Sequence, residues 1–134
     1  MAQQYDPTDV YTIIDGEVIT KFAEDSMIEA EPLEDKVELV KGAQGEGTFT
    51  INANDGGQIT LSLAADSPAL PKLNKLYKES SQFPIDIQHR GDQINESAGG
   101  SDAMIQSMGP MNRGSELSDR EIVILVDDFD NTIA

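Results

Sequence analysis

Thr48-Phe49-Thr50-Ile51-Asn52-Ala53-Asn54-Asp55-Gly56-Gly57-Gln58-Ile59-Thr60-Leu61-Ser62-Leu63 decides the fold class of this 134-residue chain. Apolar residues occupy every second position on both sides of an Asn/Asp/Gly turn, the period of a half-buried strand rather than the 3.6 of a helix. Pairing Asn52 with Gln58 brings Ile51 onto Ile59, Phe49 onto Leu61 and Thr50 onto Thr60. Apolar then meets apolar and hydroxyl meets hydroxyl along the ladder, so the segment is expected to form one β-hairpin turning at 53–57.

Outward from that segment the period stays at two. Val10-Tyr11-Thr12-Ile13-Ile14 runs into Asp15-Gly16, a tight-turn signal, and Val18-Ile19 follows, which predicts a first hairpin. Met27 to Glu31 and Lys36 to Val40 alternate as strands, with Pro32 marking a break or an edge between them. Phe83, Ile85 and Ile87 alternate with Asp86 and Gln88, and Glu121 to Val126 is apolar enough for the middle of a sheet. One helix is expected: Ser67 as N-cap, Pro68 at the first position, a stripe of Leu70, Leu73, Leu76 and Tyr77, and an end near Ser80. Arg90 to Gly100 reads as a polar surface loop, Met104 to Met111 as an irregular strand, and Asp127 to Ala134 as a short extended end. The sum is mainly β: a small antiparallel β-sandwich or barrel with one flanking α-helix, as a single domain over residues 1–134. Its expected core is Ile28, Ala30, Val37, Leu39, Phe49, Ile51, Ile59, Leu61 and Leu63.

Charge narrows the function. Nine Lys and Arg against 25 Asp and Glu give a net charge of −16, so this is no phosphate-neutralising nucleic-acid binder and it is repelled by anionic lipid. There is no cysteine, hence neither a disulfide framework nor a thiolate metal site. The first residues lack the basic and apolar regions of a signal peptide, and the longest aliphatic run, Ile122 to Val126, is far short of a membrane span, so the cytoplasm is the expected place of synthesis. Leu, Ile, Val and Phe make up only 32 of 134 residues. Such a core is thin, and the Gly-rich stretch Lys41 to Gly47 has nothing to bury it; both make more sense if neighbouring copies complete the fold.

No catalytic set converges. Asp127, Asp128, Asp130 and Asn131 depart from the spacing of a calcium loop and lack its closing Glu. His89, the sole histidine, has no cysteine to share a zinc with and reads as a strand-end polar residue. Gly42-Ala43-Gln44-Gly45-Glu46-Gly47 lacks the Lys-Ser/Thr ending of a phosphate loop and carries a repelling Glu. Arg90-Gly91-Asp92 is short enough to match an adhesion tripeptide by chance, and the glycosylation sequon Asn95-Glu96-Ser97 is expected to be idle without a secretory signal. No metal or cofactor is expected, and the chain is read as non-enzymatic.

The order of elements carries a resemblance. Ile13-Ile14-Asp15-Gly16-Glu17-Val18-Ile19, continued by Thr20-Lys21-Phe22-Ala23, is similar to an "I-D-G-x-x-I-T-G-F" opening. Val40 to Glu46 fits a "V-x-G-A-x-G-E" turn, Gly57 to Leu63 a "G-x-I-T-L-x-L" strand, Ser67-Pro68 a helix start, and Phe83 to Ile87 an "F-P-I-x-I" strand. Over Val10 to Asp128 this set resembles the tail tube proteins of contractile-tailed phages and tailocins, whose fold is shared with type VI secretion tubes; the departure is Ala98 to Gly114.

The resemblance implies hexameric rings whose sheets join between subunits into a barrel, stacked as a hollow tube in a virion tail. Implied partners are other copies of the chain, a tail sheath, a baseplate or tube initiator, a tape measure and a tail terminator. DNA passes through without specific binding, because an acidic, neutral-polar wall offers phosphates no grip. Glu29, Glu31, Glu38, Thr48, Thr50, Asn52, Gln58, Thr60 and Ser62 are expected to face the lumen. Gly42 to Gly47 (Gly42, Ala43, Gln44, Gly45, Glu46, Gly47) is expected to reach the adjacent ring or subunit, and Lys72, Lys75 and Lys78 to form an outer stripe on the helix. The rival reading is an acidic β-domain acting as a binding module, a DNA mimic or a cation binder.

Overall fold

A computed structural model describes residues 10–20, 22, 28–91, 94–111, 114–115 and 118–133; Lys21, Ala23, Met27, Asp92 and Ala134, named above, lie outside them. The chain forms β1 (Val10–Ile14), β2 (Glu17–Val18), β3 (Ile28–Pro32), β4 (Val37–Lys41), β5 (Gly47–Ile51), β6 (Gly57–Ala64), α1 (Leu70–Glu79), β7 (Phe83–Arg90), β8 (Asn95–Ser107), β9 (Asp119–Val126) and β10 (Asp130–Ile133). Eight strands build one antiparallel sheet in the order β2-β1-β7-β8-β9-β6-β3, with β10 also on β8; β4 and β5 form a separate two-stranded ribbon. The fold is thus mainly β with one helix, as the alternation requires.

The first hairpin forms at Asp15-Gly16, where both residues take positive φ (51° and 83°), the conformation of a two-residue turn that matches strand twist. The apolar strand β9 lies between β8 and β6, in the middle of the sheet as its composition demands. Residues of both arms, Ile14, Ile85 and Ile87 on one and Ile59, Leu61, Ile122 and Ile124 on the other, bury into a single cluster with Leu73 of α1 and Phe83. The sheet is therefore rolled around its own inner face, with the helix packed against it.

The hairpin expected over Thr48 to Leu63 does not form. Phe49 and Ile51 instead pair with Leu39 and Val37 across the Gly-rich turn, while Ile59 and Leu61 pair with Ala30 and Ile28 on one side and Ile124 and Ile122 on the other. Residues 52–56 are an open connection, in which the Asn52 side chain accepts the Asn54 N–H (2.9 Å) and the Asn54 side chain accepts the Gly56 N–H (3.0 Å). These local bonds satisfy the backbone without a hairpin turn. The correction extends to the core: Val37, Leu39, Phe49 and Ile51 are exposed, and Ile28 and Ala30 only partly buried, whereas Ile59, Leu61 and Leu63 are buried as expected.

Two further expectations are corrected. Much of the stretch Arg90 to Gly100 is strand rather than loop: Asn95 opens the 13-residue β8, with Ala98 and Gly99 buried between β7 and β10. Its small, polar residues suit a strand crossed closely by neighbours on both sides. The helix starts later than its sequence signal, with Ala69 at the cap position and Pro71 in the first turn. Ser67 is buried and spends its hydroxyl on the Thr20 carbonyl (2.7 Å), tying the helix entry to the segment after β2. The end at Ser80, in a left-handed cap, is as expected.

Candidate assembly surfaces

Three surfaces carry the residues that the sequence singles out. The ribbon β4–β5 is the most unusual. Its turn closes through the Gly42 N–H to the Glu46 carbonyl (2.7 Å) and the Gly45 N–H to the Gly42 carbonyl (3.0 Å), with Gly45 at φ 91°. At its root the Asn52 N–H reaches the Lys36 carbonyl (2.8 Å), the Leu33 N–H reaches the Gly56 carbonyl (3.0 Å), and Asn52 also contacts the Glu34 carboxylate. Among the described residues, β4 and β5 pair with no other strand. Register places Val37 opposite Ile51 and Leu39 opposite Phe49 on one face, and Glu38 opposite Thr50 and Val40 opposite Thr48 on the other. Every residue of both strands is exposed, Phe49 at 72% and Ile51 at 71%. An isolated two-stranded hairpin is marginal in water, and a bare apolar face on one makes it a candidate contact surface.

The second surface is the outer face of β3, β6 and β9. Glu29 lies opposite Thr60 and Glu31 opposite Gln58, and the same rungs continue to Val123 and Leu125 of β9. Ser62 shares this face opposite Glu121. Five of the nine expected lumen residues therefore come together here: Glu29 and Glu31 exposed, Gln58, Thr60 and Ser62 partly buried. Glu38, Thr48 and Thr50 sit on the ribbon instead, and Asn52 is taken up in the connection between the two. Within one chain these are two polar faces, not one.

The helix stripe is also divided. The Lys72 ammonium pairs with Glu17 of β2 (3.4 Å) and Asp15 of the turn before it (3.9 Å), clamping α1 to the β1–β2 hairpin. Lys75 and Lys78 remain exposed. Beneath them an open groove of about 700 Å³ runs between Asp15, Glu17, Lys72, Lys75 and Glu79.

Among the described residues no three His, Cys, Asp or Glu side chains group to hold a metal ion. His89 sits partly buried in β7, opposite Glu96 and Val10. Asp128, in the acidic stretch after β9, turns its carboxylate to the backbone of Ser101 and Asp102. No described helix is long and apolar enough to cross a membrane.

What the sequence reading missed is the ribbon. Its signal is present: Val37 and Leu39 before a five-residue Gly-containing turn, Phe49 and Ile51 after it, a hairpin pattern as good as that over Thr48 to Leu63.

The fold is shared with chains of phage-tail-like contractile injection systems. A chain in the sheath/tube terminator structure of the PVC extracellular contractile injection system, in its extended state, matches with a TM-score of 0.65 at 14% identity, covering 99% of this chain and 98% of that one. A chain in the tube-terminating cap of the anti-feeding prophage matches at 0.61 and 16% identity, over 100% and 95%. One in the PVC sheath-tube complex matches at 0.59 and 14%, over 93% and 88%. By sequence, no family profile and no curated protein matches.

Proposed function

We propose that this chain is a structural, non-enzymatic subunit of a phage or phage-tail-like tube. Six copies close a ring, rings stack into a hollow tube, and a polar, acidic lumen conducts DNA during ejection without binding it. The observation that carries this reading is the end-to-end fold likeness to chains of contractile injection systems, 99% of one chain on 98% of the other. Three features support it. Among the described residues the sheet ends in the open edges of β3, β2 and β10, and joining such edges between copies removes an aggregation hazard. The ribbon exposes apolar residues that a neighbour would cover. The Gly42–Gly47 turn at its tip is exposed, and under this reading it reaches another ring or subunit. Sheath, baseplate or tube initiator, tape measure and terminator proteins are the remaining partners under this reading, with the tail of a particle as its location.

Negative-stain microscopy of the concentrated protein tests it. Six-fold rings or hollow rods are expected; a protein that stays monomeric, and is found nowhere along a tail in particles from its source, overturns the proposal. A second reading, a ring that ends a tube, draws on the likeness to the cap and terminator assemblies. The same images separate the two: a cap gives single rings that do not stack, a tube subunit gives rods.

A further inference from the structure

The polar residues expected around one channel lie on two sheets of the single chain, and each half has an apolar neighbour. Behind Glu38, Thr48 and Thr50, the ribbon's other face carries Val37, Leu39, Phe49 and Ile51, with Lys41 in the same alternation at the tip. Beside Glu29, Glu31, Gln58 and Thr60, the outer sheet face continues into a strip of Val123 and Leu125 on β9, with Met104 of β8 directly opposite Leu125. The strip is bordered by acids, Glu121 at one end and Asp102 and Asp127 at the other. Met104, Leu125, Asp102 and Asp127 line, with Leu33, an open groove of about 380 Å³.

Resting on the self-assembling reading above, we propose that the ribbon of one copy lies apolar face down on the β8–β9 strip of a second copy, with Lys41 against its acidic border. Length fits: Val37–Lys41 and Glu121–Leu125 each span five residues, roughly 13 Å at ~3.3 Å per residue. Charge fits too. In a chain of net −16 most faces repel a second copy, and here an apolar face with a cation at its tip meets an apolar strip edged by carboxylates.

The docking also unites the divided polar set. A ribbon lying this side down turns Glu38, Thr48 and Thr50 outward, with Val40 among them, onto the side where the next copy shows Glu29, Glu31, Gln58, Thr60 and Ser62. One continuous acidic and hydroxyl-rich wall results, which neither sheet makes alone.

Area sets the cooperativity. The exposed apolar face of the ribbon is on the order of 400 Å², so one docked ribbon buries on the order of 800 Å² counting both surfaces, short of the ~1,200 Å² of a stable pair. Ribbon and strip are different surfaces, so the contact is head-to-tail and every copy both gives and receives a ribbon; it closes a ring or extends a stack. Pairs are therefore weak and closed assemblies strong.

The test uses the 134-residue chain, which has no cysteine of its own. Leu39→Cys in one preparation and Val123→Cys in a second, mass-tagged one are mixed and mildly oxidised under assembly conditions. A mixed disulfide dimer is expected, together with at least a tenfold loss of rings and rods in Lys41→Glu at low salt and recovery in Lys41→Glu/Glu121→Lys. All variants are checked for a wild-type melting curve. Rings or rods that form with no mixed cross-link, and at wild-type yield in Met104→Glu, overturn the docking while leaving the tube reading intact. A wild-type protein that never assembles overturns both.

Discussion

The carboxylate of Asp128 holds the backbone of Ser101: it accepts the Ser101 N–H at 3.1 Å, the Ser101 hydroxyl at 2.6 Å and, one residue on, the Asp102 N–H at 3.1 Å. This places the turn between β9 and β10 against the middle of β8, where the two strands share one neighbour end to end. The hydroxyl of Ser101, then its N–H, lowers the Asp128 pKa from 3.8 to about 2. A carboxylate held more acidic in the fold than in the unfolded chain stabilises the fold while both are ionised, and that contribution fades as pH falls from about 4 through about 2. Asp128→Asn is expected to melt below wild type at pH 6, with the gap closing by pH 2. Thermal melts across that window check it; a gap unchanged at pH 2 excludes the charge as the cause.

Gly99→Ala tests the close approach of β8 to β7. Gly99 has φ +145°, and a Cβ there would stand 2.1 Å from the Ile85 carbonyl oxygen, a backbone atom with no freedom to retreat. Loss of about 2–4 kcal/mol is expected from the combined strain and clash, measured by urea denaturation. Gly45→Ala is the control: its φ is +91°, but nothing lies within 4 Å of its Cβ, so it should lose far less.

These two positions also mark what was legible beforehand. Strand faces were: Ile59, Leu61 and Leu63 alternate and all three are buried. Partners were not, because alternation fixes which face a residue takes and says nothing about which strand lies beside it. Leu39 matches Phe49 as well as Leu61 does, and the five-residue Gly turn brings Leu39 first. Asn95 to Gly100 carries no strand signal at all, since its place in the sheet comes from close backbone crossings that require small residues. Of the candidate surfaces, the polar set was readable from composition; its division between sheet and ribbon follows from tertiary pairing and was not.

Thr12 offers a stabilising change. Its hydroxyl is buried at 1% exposure in β1, and among the described residues Oγ1 has no hydrogen-bond partner, beside Ile14 and Ile87 of the core. Valine has nearly the same shape and no polar atom to desolvate. Thr12→Val is expected to gain about 1 kcal/mol. Denaturant midpoints of the two proteins decide it, and a loss of stability would mean the hydroxyl has a role in the fold.

The ribbon and the core can be separated by one paired experiment. In the sequence, Phe49 and Leu61 look equivalent, each an apolar residue in an alternating strand flanked by threonines or serine. In the fold, Leu61 is wholly buried and Phe49 is 72% exposed. Leu61→Ala should therefore cost about 2–5 kcal/mol, the transfer of a buried side chain plus the cavity it leaves. Phe49→Ser together with Ile51→Ser removes surface that water already reaches, so the monomer's stability should stay within about 0.5 kcal/mol of wild type. The same double variant should bind less of a dye that seeks apolar surface, and it should form few rings or rods, because the face that meets a neighbour is gone. Chemical denaturation of the monomer, dye fluorescence and microscopy read the three effects separately. A stability loss for the double variant as large as that of Leu61→Ala would put Phe49 and Ile51 in the core and restore the hairpin that the sequence alone suggests.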